Sequence, residues 1–168
     1  MTKNSGPEST SASFSAPGGY RFYDYIMRET EDSDLFTAIE WTRRSGFDPA
    51  LGDFWIKKQP DRENLLVMEY RPVICKRLAF FQLETVPGAQ YRLHIQESPV
   101  GAPIGILRMI TPLVPLIEKA LVLRRARAIF FTSHSSAMAK FMADTLGYRY
   151  IGEAGAEGVI MAKMAGEF

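Results

Sequence analysis

The stretch that decides the fold is Ala128-Ile129-Phe130-Phe131-Thr132-Ser133-His134-Ser135-Ser136, followed by residues 137–146 and then by Gly147-Tyr148. The first four residues are typical of a short buried strand, and the polar run after them is typical of a turn. Residues 137–146 have the periodicity of an amphipathic helix, and Gly147 predicts its end. Two further strands are predicted at residues 148–152 and 159–163.

Length and composition limit the class of protein. A chain of 168 residues is long enough for one domain with a real core, and 46% apolar with 23% charged residues is ordinary for a soluble globular protein. The net charge of +1 argues against a nucleic-acid partner. One cysteine and two histidines offer neither a disulfide framework nor a zinc spacing, so no metal site is expected.

The sequence also predicts that no segment of the chain spans a membrane. The most apolar segment, residues 104–123, carries Arg108, Glu118, Lys119 and two prolines, which argue against a membrane span. The N-terminus has no apolar core of a secretory signal. We therefore expect a cytoplasmic protein without a membrane partner.

Two parts of the chain differ in composition. Residues 1–19 are rich in Ser, Thr, Gly and Pro, which predicts a flexible arm, and we expect a protein partner to dock it. Residues 20–168 form the predicted domain. Its predicted elements are a strand at 21–28, a helix ending at Arg44, an irregular stretch at 47–64, strands at 65–70, 77–85 and 91–96, and a helix at 116–125. Because proline breaks helices, Pro112 and Pro115 predict that this helix begins near them.

This order of elements, with the strand, polar turn, short helix and Gly147-Tyr148 at its end, resembles the GNAT (Gcn5-related N-acetyltransferase) superfamily. The resemblance implies an α/β fold of the α+β type: a single domain with a mixed, mainly antiparallel sheet flanked by helices. It also implies that strands 91–96 and 128–131 splay apart to admit the pantetheine arm of acetyl-CoA. A filled gap at that point would leave no room for the cofactor.

The family holds the cofactor pyrophosphate on backbone amides of an Arg/Gln-x-x-Gly-x-Gly/Ala turn at the start of a helix. Here the best match is Val100-Gly101-Ala102-Pro103-Ile104-Gly105. The resemblance assigns cofactor contacts to Gly101, Ile104 and Gly105. Val100 and Pro103 depart from the pattern, and proline removes an amide donor. If the helix begins near Pro112, Gly105 lies away from its N-terminus, and a plain Gly/Pro loop is the alternative interpretation.

The late helix departs from the family in a second way. Counting back from Gly147, Ala143 occupies the position of the tyrosine that protonates the departing thiolate, and Ser136 the position of a cofactor-binding asparagine. Alanine has no proton to give, and Ser136 is equally explained as a helix N-cap. General-base candidates on the central strands are Glu84, His94 and Glu97.

Two functional hypotheses follow from these residues. The first, which both altered positions favour, is a GNAT-fold protein that has lost acetyl transfer, binds no cofactor and serves as a structural or binding subunit of a larger assembly. A likeness of Thr132-Ser133-His134 and its placement to GNAT-like virion-assembly proteins of short-tailed bacteriophages suggests a virion as that assembly. The alternative is an acetyl-CoA-dependent N-acyltransferase that acts on an amine.

Overall fold

The computed structural model describes residues 19–99, 103–155 and 158–168. Within these residues the strands form one sheet in the order β1-β2-β3-β4-β5-β6-β8-β7. The strands are β1 (Tyr20–Phe22), β2 (Tyr25–Glu29), β3 (Arg62–Glu69), β4 (Lys76–Val86), β5 (Gln90–Glu97), β6 (Ala128–Ser133), β7 (Arg149–Ala154) and β8 (Gly158–Met164). All neighbours are antiparallel except β5 and β6, which are parallel. The mixed, mainly antiparallel sheet predicted from the sequence is confirmed.

Helices cover both faces of the sheet. The helices are α1 (Leu35–Arg44), α2 (Pro103–Leu123) and α3 (Ser136–Leu146), with short 3-10 helices at Asp32–Asp34 and Pro49–Trp55. Helices α2 and α3 pack on one face and bury the larger hydrophobic core, which includes Phe81, Leu93 and Met142. Helix α1 and the Pro49–Trp55 turn cover the other face through Trp41, Trp55 and Phe80, among others. In the part of the chain that is described, no helix is long and apolar enough to cross a membrane.

Helix α2 corrects the sequence-based prediction for residues 103–125. It begins at Pro103 and runs through both Pro112 and Pro115, so neither proline ends it. An interior proline costs about 3 kcal/mol, but each fully buried large apolar side chain returns about 2 kcal/mol. The helix buries seven such side chains against the sheet, which outweighs the two prolines: Ile106, Met109, Ile110, Leu113, Val114, Ile117 and Leu121.

The first predicted strand is also corrected. Residues 21–28 form a hairpin of β1 and β2 rather than one strand, because the chain turns at Tyr23 and Asp24. Tyr23 has a positive φ of 50° at this turn, a conformation that the strand pattern does not reveal. The late helix, by contrast, ends as predicted: Gly147 has φ 76° and caps α3 in the left-handed conformation.

Candidate functional site

The centre of the sheet opens into a cleft where β5 and β6 stop pairing. The parallel ladder runs from Gln90 and Ala128 to Leu93 and Phe131. Strand β5 continues to Glu97 and β6 to Ser133 without further pairing to each other. A cavity of about 1010 Å³ occupies this gap and extends towards α1; we call it the central cleft. The splayed strands that the GNAT resemblance implies are therefore present, and the gap is open.

A helix follows each of the two strands in the chain: α2 follows β5, and α3 follows β6. Helix α2 starts six residues after the end of β5, so Ile104 and Gly105 lie in its first turn. The expectation that Gly105 lies away from a helix N-terminus is wrong, because α2 begins nine residues before Pro112. Nothing lies within 4 Å of where a Cβ on Gly105 would stand. Gly101, the other predicted cofactor contact in this turn, lies outside the described residues.

Pro103 occupies the first position of α2. The first amides of a helix have no partner within the helix, so proline is tolerated there, and the amides of the following residues remain available as donors. The proline therefore removes one donor and leaves the other first-turn amides of α2 without partners inside the helix. An anion is stabilised by such free amides and by the helix dipole.

Glu84 and His94 form a contact that joins two of the three predicted base candidates. They lie diagonally across the β4–β5 ladder, on the face that carries α1. His94 Nε2 lies 3.0 Å from Glu84 Oε2. A carboxylate only accepts hydrogen bonds, so Nε2 carries the proton in the neutral imidazole and Nδ1 keeps its lone pair.

The charges around this pair set its protonation state. Removal from water lowers the pKa of the His94 imidazole below its ordinary value; Glu84 opposes this, and Arg92 and Arg62 add to it. Desolvation alone would raise the pKa of Glu84, but His94, Arg92 and Arg62 outweigh it, so the pKa is lowered. At neutral pH the structure thus holds an ionised Glu84 beside a neutral His94, which lines the central cleft.

Glu97, the third predicted base, stands apart from this pair at the end of β5. It lines the cleft, and no hydrogen bond or ion pair of its side chain occurs among the described residues. Desolvation by the cleft walls raises the pKa of its carboxyl group, although the side chain still reaches solvent. Glu97 is therefore an uncompensated acidic group in the cleft.

An aromatic wall faces His94 from the Pro49–Trp55 turn. The rings of Phe54 and His94 stand edge to face with centroids 5.2 Å apart. Buried Gln82 holds this wall to the sheet, because its Nε2 donates to the Phe54 carbonyl at 2.7 Å and to Asn64 Oδ1 at 2.8 Å. The sequence pattern did not single out Gln82 or Phe54; a polar residue in the middle of the apolar run 78–83 was the available signal.

Helix α3 corrects one predicted role. Its N-cap is Ser135, whose hydroxyl accepts from the Met138 amide at 3.3 Å, and Ser136 is the first exposed residue of the helix. Ser135 lines the cleft, whereas Ser136 does not. Ala143 packs half-buried against the edge of the core and does not line the cleft either. Among the described residues, no group of three or more side chains is placed to hold a metal ion.

Known proteins with this architecture are found by structure and not by sequence. The amino-acid sequence matches no protein-family model and no curated protein. Solved structures that are similar include the aminoglycoside acetyltransferase AAC(6')-Ib in complex with coenzyme A, at 14% identity and a TM-score of 0.62. The alignment covers 86% of this chain and 96% of that one.

Two further structures support the same fold. The GNAT domain of S. lividans PAT is 12% identical with a TM-score of 0.61, over 83% of this chain and 90% of that domain. The ribosomal-protein-S5-alanine acetyltransferase from Vibrio fischeri is 17% identical with a TM-score of 0.59, over 86% and 95%. At these identities the likeness establishes architecture, not reaction. The protein has the GNAT fold, which the sequence pattern predicted.

Proposed function

We propose that this protein is an acyl-CoA-dependent N-acyltransferase that acts on a primary amine. The observation that carries the proposal is the open central cleft, where β5 and β6 separate beyond Leu93 and Phe131. Side chains that filled this gap would have left no room for the cofactor, and no described side chain fills it. Two similar structures, both of AAC(6')-Ib, were determined with coenzyme A bound, which supports acyl-CoA as the donor.

The residues around the cleft fit such a cofactor. We expect the pantetheine arm to lie between the ends of β5 and β6, where the two strands no longer pair with each other and the backbone groups that face the gap have no partner strand. The pyrophosphate would meet the first amides of α2, including those of Ile104 and Gly105. The hydroxyl of Ser135, which lines the cleft where Ser136 does not, would face the same arm.

His94 would remove the proton from the attacking amine. Its Nδ1 lone pair is available because Glu84 holds the proton on Nε2. Phe54 keeps the imidazole in place from the side opposite the strand. When bound, acyl-CoA would supply the acyl group. An ammonium substrate would first lose one proton to water; its nitrogen would then form the C–N bond as the C–S bond breaks, and the proton that His94 accepts from the nitrogen would pass through water to the leaving thiolate. No tyrosine at position 143 is required for this route.

A second proposal keeps the fold and omits the reaction. It rests on Ala143, which lacks the acid of the family, and on Pro103, which removes an amide donor. In that proposal the domain is a structural or binding subunit, of a virion or another assembly, and a protein partner docks residues 1–19. Deleting residues 1–19 would then abolish incorporation into the assembly and leave the melting temperature of the domain unchanged.

Calorimetric titration with acetyl-CoA separates the two proposals. The acyltransferase binds acetyl-CoA with a micromolar Kd and releases free thiol when a primary amine is added. Cys75 should be replaced by serine for the thiol measurement, because it is a free, half-buried thiol. Absence of binding at millimolar acetyl-CoA would overturn the acyltransferase proposal and favour the subunit.

A further inference from the structure

The walls of the central cleft suggest what kind of amine it accepts. Three large apolar side chains on its rim remain about half exposed: Phe47 at 51%, Leu51 at 51% and Ile151 at 54%. Phe47 follows α1, Leu51 lies in the Pro49–Trp55 turn, and Ile151 lies on β7, so three separate elements bring apolar surface to one opening. A ligand that covers such a side chain removes apolar surface from water, which makes the free energy of binding more favourable.

Deeper in the cleft the wall is also apolar. Phe54 and Trp55 lie behind the rim, and Phe130 faces them from β6. Three polar side chains of the cleft already contact one another, since the Thr42 hydroxyl contacts Gln96 Oε1 at 3.2 Å and Gln96 Nε2 contacts the Ser45 hydroxyl at 3.4 Å. These three side chains therefore offer few free partners to a ligand with many hydroxyl or amino groups.

The charges in the cleft also limit the charge of the ligand that it can accept. Among the described residues that line it, Glu97 is the one carboxylate, and its side chain makes no ion pair. Arg92 is paired with Glu84 at 3.3 Å, and His94 is neutral. The described walls of the cleft thus carry one carboxylate without an ion-pair partner among the described residues, which attracts a single positive charge and does not match a polycation.

We propose that the acceptor is a small monocationic primary amine with an apolar, aromatic-sized body, held by the rim of Phe47, Leu51 and Ile151. This inference rests on the proposed acyltransferase function. Glu97 draws the ammonium group into the cleft, and the aromatic wall receives the body of the molecule. The cavity of about 1010 Å³ has room for such an amine beside the pantetheine arm.

The test compares four amines of defined chemistry in the thiol-release assay. Phenethylamine has the proposed body and charge, ethanolamine lacks the body, spermidine is a polycation, and phenylalanine adds a carboxylate to the same body. Burial of a phenyl group predicts kcat/KM about 10- to 100-fold higher for phenethylamine than for ethanolamine. Equal or faster reaction of ethanolamine, spermidine or phenylalanine would overturn the proposed substrate class.

Variants of the rim locate the effect. Phe47→Ser and Leu51→Ser should each lower the preference for phenethylamine over ethanolamine by about 3- to 10-fold and leave the Kd of acetyl-CoA unchanged. Phe36→Ser is the matched control, because Phe36 is 77% exposed on α1 and does not line the cleft. An identical loss in Phe36→Ser, or none in the rim variants, would contradict the assignment.

A binding measurement keeps this inference separate from the reaction. The chain has two tryptophans, Trp41 and Trp55, and Trp55 lines the cleft. Phenethylamine should change the tryptophan fluorescence with no acyl donor present, and ethanolamine and spermidine should not. If phenethylamine binds but acetyl-CoA does not, the acyltransferase proposal is wrong and the apolar amine site is retained. If acetyl-CoA binds but phenethylamine does not, the amine site is rejected and the acyltransferase proposal is retained.

Discussion

His94 Nε2 lies 3.0 Å from Glu84 Oε2, across the diagonal of the β4–β5 ladder. Glu84 also receives Arg92 at 3.3 Å and Arg62 at 3.9 Å, so its carboxylate is surrounded by cations and stays ionised. The imidazole is thereby limited to one neutral tautomer, with Nδ1 unprotonated. This pair is the best-defined chemical feature of the central cleft.

Replacing Glu84 by glutamine tests the role of this pair. The glutamine amide can donate as well as accept, so the tautomer of His94 is no longer fixed, and kcat should fall about 10- to 100-fold. Because Glu84 raises the pKa of His94, its removal lowers that pKa further. The acid limb of the rate profile, which reports protonation of His94, should therefore move to lower pH.

The control for this variant is Glu69→Gln, since Glu69 pairs with Arg71 at the far end of β3. It should retain both the rate and the pH profile of the parent. An unchanged acid limb in Glu84→Gln would show that His94 is not the base of the reaction.

Filling the gap between β5 and β6 should prevent cofactor binding. Thr132 lies on β6 just beyond the last pair with β5 and lines the cleft while half-buried. Thr132→Trp should raise the Kd of acetyl-CoA at least about 100-fold by steric exclusion, as measured by calorimetry. Thr145→Trp, at an exposed position of α3, is the control and should bind normally. Normal binding by Thr132→Trp would place the cofactor elsewhere.

Gly52 permits the close contact that supports the aromatic wall. A Cβ at this position would lie 2.6 Å from Ile39 Cγ1 and 2.9 Å from the Ile39 Cα on α1. Gly52→Ala should therefore lower the free energy of unfolding by about 1–3 kcal/mol in a urea titration, because backbone must move. Gly152→Ala on β7 should change it by less than about 0.5 kcal/mol, since nothing lies within 4 Å of its Cβ. Equal effects would contradict this packing.

Asp34 should make stability depend on pH. Its carboxylate is fully buried and receives Arg28 at 2.8 and 3.0 Å, Arg77 at 3.3 Å and the Glu31 amide at 2.9 Å. Desolvation is outweighed by these hydrogen bonds and charges, so the pKa of Asp34 lies below its ordinary value of 3.8. Its stabilising contribution is therefore complete above that value and is lost as the pH falls through the lowered pKa.

Asp34→Asn should cost about 3 kcal/mol at neutral pH, because Arg28 loses its partner, and should flatten the decline of stability in acid. Asp32→Asn, at an exposed position two residues earlier, provides the comparison and should leave the urea midpoint unchanged at every pH. A parental acid decline in Asp34→Asn would assign that decline to other carboxyl groups.

The sequence predicted those features that depend on local patterns. The strand at Ala128, the helix that ends at Gly147 and the three central strands follow from periodicity and from glycine at a left-handed position. The start of α2 did not follow, because proline breaks helices when only local sequence is considered. Seven buried side chains on that helix reverse the outcome, and their partners come from other strands.

The candidate site shows the same division. Glu84, His94 and Glu97 were identified individually as acidic or basic groups on central strands. Their grouping was not predictable, because one step of register between β4 and β5 would place Glu84 and His94 on opposite faces. Ser135 and not Ser136 became the cap of α3, a difference of one residue that only the chain path decides.

The amino-acid sequence by itself determined the order of elements and hence the GNAT architecture, because helical and strand periodicity are properties of neighbouring residues. The tertiary structure alone decided that the gap between β5 and β6 is open, that α2 begins at Pro103, and that His94 is paired with Glu84. These features depend on register and on packing between residues that are distant in the chain. Together these features provide a cleft in which the proposed acyl transfer can be tested.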